Sequence, residues 1–210
     1  QVTQTANALR SNIEQLQKEK LQTELDRLKF QLNPHFLFNA LNTINYKIDR
    51  SNQPARETLQ KFSKMLRYQL YECEKNDIEI EQELWFLQSY IDLQKERMNN
   101  NYRINCEGFD AVSGFRIAPF LLLPIVENCS KHVSQWPDRE NEILITCRQE
   151  NNIFFFNTSN STAESNGHGT GGIGLKNIRK RLELLYPGIH QLQIKQERGQ
   201  FALTLQLRLS

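Results

Sequence analysis

A histidine beside a proline is the first candidate for chemistry in this sequence. His35 follows Pro34 in the stretch QLNPHFLFNALNTI, residues 31–44, and Asn39 comes one helical turn later. Neutral imidazole is a nucleophile near pH 7 because its unperturbed pKa is about 6.5. Helical histidines are nevertheless more often buried structural residues than nucleophiles. His35 therefore needs a second observation before a catalytic role is favoured.

A second polar group interrupts an apolar segment further along the chain. In LLLPIVENCSKHV, residues 121–133, Asn128, Lys131 and His132 are spaced so that they share one face of a helix, and Glu127 precedes them. An asparagine offers a neutral oxygen to Mg²⁺, and a lysine offers a point charge to a phosphate. Cys129 and His132 form one C-x-x-H, but no second ligand pair completes a tetrahedral zinc site. The cluster is therefore interpreted as a candidate site for Mg²⁺ and phosphate.

Glycines form the third candidate. GHGTGG, residues 167–172, matches G-x-G-x-x-G, but the predicted strand before it ends near Thr158 and no parallel partner strand is expected. A dinucleotide-binding fold requires both features, so that interpretation is rejected. A glycine-rich loop that opens onto a helix can still present backbone N–H groups to phosphates. Lys176 in the first turn of that helix would add positive charge.

The elements that must position these residues are predicted to be helical at first. Leu21, Leu25, Leu28 and Leu32 have the spacing of a coiled-coil seam, which predicts a parallel homodimer, and the next seam position is His35. Pro34 removes an N–H and opposes the carbonyl of Phe30, so we expect the helix to bend there. The bend would lift His35 off the seam and present it as a nucleophile.

Two further helices are predicted over 55–73 and 80–98, and the second carries Glu83, Tyr90 and Arg97 at intervals of seven. That stripe favours a solvated face as much as a functional one. Downstream, a strand is predicted at 102–109, an apolar helix at 118–133, two strands joined by a turn at 150–152, a helix after the glycines, and a final hairpin around Arg198 and Gly199. The predicted domains are 1–76, all helix, and 77–210, an α+β layer of helices and mainly antiparallel strands.

Composition excludes several classes of protein. The 210 residues carry 26 basic and 24 acidic side chains, a net charge of +2, which gives no reason to expect nucleic acid as a partner. The longest clean apolar run, 120–126, is far too short to span a bilayer. No signal peptide is recognisable at the N-terminus. Because the sequence begins without methionine and inside a predicted helix, we expect a fragment of a longer protein. Reduced thiols are expected, since no C-x-x-C pair occurs.

Taken together, these segments resemble the LytS/YehU-type sensor histidine kinases of two-component systems. LNPHFLFNALNTI is similar to the phosphoacceptor box, LLLPIVENCSKH to the N box, and GGIGLKNIRKRLELLYPG to the glycine box, in the order that the family has them. The resemblance covers about residue 28 to the end. It implies a coiled coil and helical hairpin for dimerisation and phosphotransfer, followed by an α/β-sandwich ATPase domain of the gyrase, Hsp90, histidine kinase and MutL type.

The resemblance also implies roles for individual residues. His35 would accept the γ-phosphate of ATP, with Asn39 and Glu127 as candidate assisting groups, and Asn128 would ligate Mg²⁺. The nucleotide-binding residues would be Asn128, Lys131, His132, Asn157, Gly171, Gly172, Gly174, Leu175 and Lys176. Asn157 stands where many histidine kinases have an aspartate that accepts a hydrogen bond from the adenine amino group. An asparagine oxygen can accept this bond without charge.

The implied partners are the receiver domain of a response regulator and a second copy of the chain. The implied location is the cytoplasmic portion of a bacterial inner-membrane protein, with the membrane reached only through an upstream segment. Two alternatives stay open at this point. One is a catalytically weak or inactive dimeric scaffold, which Asn157 and the lack of an acid after His35 would explain. The other is an ATPase clamp related to Hsp90 or MutL.

Overall fold

The computed structural model describes residues 34–71, 75–98, 101–162, 173–197 and 199–209. Side chains are described from residue 37 onward in the first helix and from Gly174 onward in the helix that begins at Ile173. Clustering of Cα positions divides the chain into two compact units, 1–63 and 64–210. The predicted domain boundary at residue 76 stays a prediction.

The first unit contains helix α1 (Pro34–Lys47) and the start of helix α2 (Gln53–Tyr71). Asp49 Oδ1 accepts hydrogen bonds from the backbone N–H and the hydroxyl of Ser51, and these bonds lower the pKa of that carboxyl. Asn52 Oδ1 accepts the N–H of Ala55 at 3.3 Å, which satisfies a donor in the first turn of α2. Pro54 is tolerated there because the first turn needs no amide proton. The chain therefore turns just before α2, which begins at Gln53.

The second unit is built on a five-stranded sheet. Its elements, in chain order, are β1 (Ile78–Glu79), α3 (Ile80–Arg97), β2 (Tyr102–Glu107), β3 (Arg116–Ile117), α4 (Leu123–His132), β4 (Asn141–Glu150), β5 (Ile153–Ser161), α5 (Ile173–Leu185), β6 (His190–Glu197) and β7 (Gln200–Arg208). The order across the sheet is β2-β4-β5-β7-β6, with β2 parallel to β4 and the other neighbours antiparallel. Strands β1 and β3 form a separate antiparallel pair.

One face of the sheet is packed against α3, α4 and α5. The alternating burial of β5 puts Phe154 and Phe156 in the core, and their neighbours across the ladders, Cys147, Leu205 and Leu207, are buried with them. The three helices add buried side chains to the same cluster: Leu84, Leu87 and Ile91 from α3, Ile125, Val126 and Cys129 from α4, and Leu175, Ile178 and Leu182 from α5. Burial of this apolar surface is the main stabilising contribution to the unit.

The predicted mixed class of helix and sheet is confirmed, and so are the helices of 53–71 and 80–97 and the final hairpin. The expectation of a turn between β4 and β5 is also confirmed. Asn151 and Asn152 both have positive φ, 49° and 59°, which is the backbone of a tight two-residue hairpin turn.

The structure differs from the sequence-based expectations in two places and adds two features that they left open. The apolar helix begins only at Leu123, because residues 118–122 form a turn in which Phe120 has a φ of 54°. β5 does not end near Thr158 but continues to Ser161. β2 and β4 form a parallel pair that the local pattern did not indicate. Glu83 is not part of a solvated stripe, since none of its surface is exposed.

Among the residues that the structure describes, no helix is both long and apolar enough to cross a membrane.

Candidate functional site

Helix α4 separates its apolar and polar residues as the sequence predicted. Ile125, Val126 and Cys129 are buried against the sheet and anchor the helix. Asn128 is half-buried, while Lys131 and His132 are exposed, as is Glu127. The helix therefore offers an amide and a cation, at the spacing of one helical turn, beside an anchored apolar face.

The end of β5 adds a polar group that reaches the C-terminal end of α4. Asn160 is 1% exposed, and its Nδ2 donates to the carbonyl oxygens of His132 at 3.2 Å and Ser161 at 3.1 Å. Because both partners are carbonyl oxygens, which only accept, the amide atom that contacts them is the nitrogen. Within the described residues, Oδ1 of Asn160 is buried and has no hydrogen-bond partner. A buried acceptor of this kind calls for a donor from water or a ligand.

A buried network fixes α4 to the end of β5. Ser134, just after α4, donates its backbone N–H to the carbonyl of Ser161 at 2.8 Å, and their hydroxyls lie 2.6 Å apart. Asn141 Oδ1 accepts from the Ser134 hydroxyl at 2.7 Å and from the N–H of Trp136 at 2.9 Å. The amide of Asn160 and the polar residues of α4 are thus held on one rigid support.

Asn157 lies on the opposite face of the sheet from α4. In the ladder it is opposite Thr146 and Thr204, whereas Asn160 is opposite the buried Ile143 and the half-buried Phe201. Asn157 Nδ2 donates to Thr146 Oγ1 at 3.2 Å. Because strand side chains alternate between faces, the structure does not bring Asn157 together with the polar residues of α4.

The residues expected to shape the glycine lid are only partly described. Gly171 and Gly172 lie outside the described residues. Gly174 and Lys176 are exposed on α5, and a Cβ added at Gly174 would meet no atom within 4 Å. Leu175 is 6% exposed and belongs to the core, which makes it a packing residue of α5 in this structure.

The predicted phosphoacceptor helix belongs to the first unit. His35 lies in α1, but its side chain is outside the described part of the molecule. Asn39 is exposed on the same helix, and its carbonyl accepts the hydroxyl of Thr43 at 2.8 Å. The coiled-coil seam of Leu21 to Leu32 and the upstream half of the predicted bend at Pro34 also lie outside the described residues.

Two thiols near the core are unsuited to chemistry at neutral pH. Burial raises the pKa of Cys129 to about 11 and that of Cys147 to about 12. Both thiols are therefore protonated and act as small apolar groups, since the thiolate is the nucleophile and metal ligand.

The sequence-based prediction missed Asn160. A usable signal was present, because Phe154, Phe156, Thr158 and Asn160 are in phase at a period of two while Asn157 is out of phase. A strand extended by three residues beyond Asn157 would have selected Asn160 for the face that packs against the helices.

Comparisons with known proteins agree on one family. The sequence model of the histidine kinase family matches residues 23–102. The chain is 28% identical to Sensor protein LytS of Streptococcus agalactiae, over 84% of the chain and 32% of that relative. It is 29% identical to Sensor protein LytS of Staphylococcus saprophyticus, over 81% of the chain and 31% of the relative. The chain thus spans about a third of the length of these relatives.

A solved structure with a similar arrangement is the histidine kinase domain from the Erythrobacter litoralis EL346 blue-light activated histidine kinase. It has a TM-score of 0.49 and 11% identity, and the match covers 72% of this chain and 75% of that one. The LytS relatives match most of the chain and the histidine kinase family model matches its first half in part, so the chain is similar to the LytS-type sensor histidine kinases.

Proposed function

We propose that the chain transfers the γ-phosphoryl group of ATP to His35 and then passes it to an aspartate of a response regulator. The observation that carries this proposal is the contact between helix α4 and the end of β5. Helix α4, which carries Asn128 and Lys131, is bonded through the carbonyl of His132 to Asn160 of β5, and the buried Oδ1 of Asn160 has no partner among the described residues. Such a place suits a ligand that has both a base with an amino donor and a charged phosphate chain.

The residues present fit a magnesium nucleotide. Asn160 Oδ1 would accept a hydrogen bond from the adenine amino group, the role that the family resemblance implied for Asn157. Asn128 would ligate Mg²⁺, which neutralises phosphate charge when bound. Lys131 would contact a phosphate, with Lys176 and the backbone N–H groups at the start of α5 as further candidates.

Transfer to His35 requires little covalent chemistry from the rest of the protein. A ring nitrogen of neutral His35 would attack the γ-phosphorus in line, forming a nitrogen–phosphorus bond as the bond to the leaving oxygen of ADP breaks. The other ring nitrogen keeps its proton during the attack, so the phosphorylated imidazole ring is at first positively charged. That proton must then leave for the ring to become neutral. Asn39, one turn after His35, would orient the ring, and Glu127 is the candidate proton acceptor. Catalysis of this reaction rests mainly on positioning and charge neutralisation.

The remaining proposals concern the larger protein. The N-terminal seam would form a parallel homodimer, a receiver domain would take the phosphoryl group, and an upstream segment would connect the chain to a membrane sensor. Support for them comes from the seam spacing and from the family, since the chain covers only about a third of its LytS relatives.

Labelling with γ-³²P-ATP tests the central proposal. The wild-type chain is expected to incorporate acid-labile, base-stable label, and His35→Gln is expected to incorporate none while binding ATP with unchanged affinity. His190→Gln is the matched control, because His190 lies on β6 and is held by the carbonyl of Tyr186 at 2.6 Å. This control should label normally. Undiminished labelling of His35→Gln would contradict the assignment. Absence of ATP binding in a calorimetric titration at millimolar nucleotide would support a scaffold instead.

A further inference from the structure

The turn that leads into α4 has a strained backbone. Phe120 has a φ of 54°, in the left-handed region that a bulky aromatic residue rarely adopts. Such a conformation persists only when surrounding contacts hold it. Residues 118–122, here called the α4 entry turn, immediately precede the helix that carries Asn128 and Lys131.

Glu83 on α3 holds this turn from one side. Its Oε2 accepts the N–H of Phe120 at 2.8 Å, and its Oε1 accepts the N–H of Leu122 at 3.0 Å. The residue that precedes α4, Leu122, has no side-chain cap of its own. The Glu83 carboxylate therefore places a negative charge at the N-terminus of α4 and accepts the N–H of the N-cap residue, the bond that a glutamate makes in a capping box.

The carboxylate is fully buried, with 0% of Glu83 exposed. Burial raises its pKa above the usual range, whereas the two backbone donors and the Arg181 guanidinium act in the opposite direction. A buried carboxylate with specific donors is costly to disturb, because removing a partner leaves a polar group unsatisfied.

Arg181 on α5 holds the turn from the other side. Its guanidinium donates to the carbonyl oxygen of Phe120 at 2.7 Å and also to that of Pro119. Tyr186, just after α5, accepts the N–H of Ala118 at 2.7 Å through its hydroxyl oxygen. The polar groups at both ends of the entry turn are thus bound by side chains from α3 and from the α5 region.

The ring of Phe120 completes the arrangement. Its centroid lies 5.1 Å from that of Phe86 and 5.5 Å from that of Tyr68, both in edge-on contacts. The aromatic packing fixes the side chain while Glu83 and Arg181 fix the backbone. Because a planar guanidinium reaches two carbonyls at once, lysine cannot replace the contact of Arg181.

We propose that Glu83 and Arg181 are positioning residues of the nucleotide site, which hold the α4 entry turn so that α4 and α5 keep the spacing that Mg²⁺–ATP requires. The inference rests on the proposed function. Neither residue needs to touch the nucleotide. Glu83 determines where α4 begins, and Arg181 connects that point to the helix that follows the glycine lid.

The test separates binding of the metal–phosphate part from binding of the base. Calorimetry on the 210-residue chain measures the dissociation constant of ATP with Mg²⁺ and again with EDTA, at a temperature where circular dichroism shows each variant folded. Arg181→Lys and Glu83→Gln are expected to lose about tenfold in affinity with Mg²⁺, the loss expected for one charged hydrogen bond. With EDTA the affinity should change by less than about twofold, because the base contact at Asn160 is on the sheet.

Matched controls come from exposed residues of α5. Arg179→Lys and Glu183→Gln make the same chemical changes on the surface and should leave both dissociation constants unchanged. The double variant Glu83→Gln with Arg181→Lys should lose less than the sum of the single losses, since both act through one turn. Should Glu83→Gln fail to fold, Arg181→Lys carries the test alone.

The outcomes distinguish the two proposals. A variant that merely reduces the folded fraction would lower the binding stoichiometry. The ratio of its dissociation constants for ATP with Mg²⁺ and with EDTA would then stay as in wild type. That result would overturn the positioning role alone. A wild-type chain that binds no ATP under either condition would overturn the proposed function and the positioning role with it.

Discussion

The two asparagines of β5 have different surroundings although they are only three residues apart. Asn160 is on the face that packs against the helices, where its amide nitrogen binds two carbonyls and its oxygen is buried. Asn157 is half-buried on the other face and bonds to the neighbouring strand. Of the two, only Asn160 has a buried side-chain oxygen without a hydrogen-bond partner in the described part of the chain.

This difference predicts unequal effects on ATP binding. Asn160→Ala should weaken ATP affinity by about five- to tenfold, because loss of one neutral hydrogen bond costs about 1 kcal/mol. Asn157→Ala, the matched control, should change it by less than about twofold, since its amide faces away from α4. Calorimetric titration of both variants measures the effect, with circular dichroism to confirm folding. Equal losses in the two variants would place the base elsewhere.

At the level of elements, the connection after β2 determines how closely that edge strand packs on β4. Gly108 has a φ of 82°, and a Cβ added there would lie 2.0 Å from the carbonyl oxygen of Cys147 on β4. A Cβ added at Gly114, which has a φ of 80°, would have no atom within 4 Å. The two glycines share a backbone conformation but differ in their surroundings.

Alanine substitutions at Gly108 and Gly114 distinguish the stability cost of backbone strain from that of a steric clash. Gly114→Ala should lower the free energy of unfolding by about 1 kcal/mol, the cost of a left-handed residue with a side chain. Gly108→Ala should lower it by about 3 kcal/mol or more, since the backbone of β4 must also move. Urea denaturation followed by circular dichroism gives both values. Similar losses for the two variants would show that β4 accommodates the extra carbon without cost.

At the level of the whole molecule, two compact units occur in one chain, and the predicted dimer seam precedes the described residues. Leu21, Leu25, Leu28 and Leu32 remain the basis for expecting a parallel dimer. Such a seam buries leucines only when a second helix is present. Charged side chains at its centre should therefore separate the two copies.

Sedimentation velocity tests this expectation. The wild-type chain should sediment as a dimer, and Leu25→Asp combined with Leu28→Asp should sediment as a monomer, because unpaired buried carboxylates oppose association. Leu184→Asp is a suitable control, since Leu184 is 71% exposed on α5, and it should leave the dimer intact. A monomeric wild-type chain would refute the seam as a dimer interface.

The sequence by itself determined the identity and order of most of the secondary structure. Period-two burial in β5, the asparagine turn after β4 and the amphipathic pattern of α3 are local, so they are visible in a single stretch of residues. It also indicated the phosphoacceptor box, the polar face of α4 and the resemblance to the LytS-type sensor histidine kinases. Local pattern was enough for these because each depends on neighbours within a few positions.

Only the tertiary structure decided which distant residues meet. Glu83, Phe120 and Arg181 are separated by 37 and 61 positions, and no periodicity relates them, yet they form one set of contacts. The parallel pairing of β2 with β4 and the late start of α4 at Leu123 have the same origin. The sequence pattern of α3 is compatible with an exposed Glu83, but its carboxylate is buried because α4 begins beside it. Sheet register likewise selects Asn160 over Asn157, because the face that a side chain occupies depends on where the strand ends.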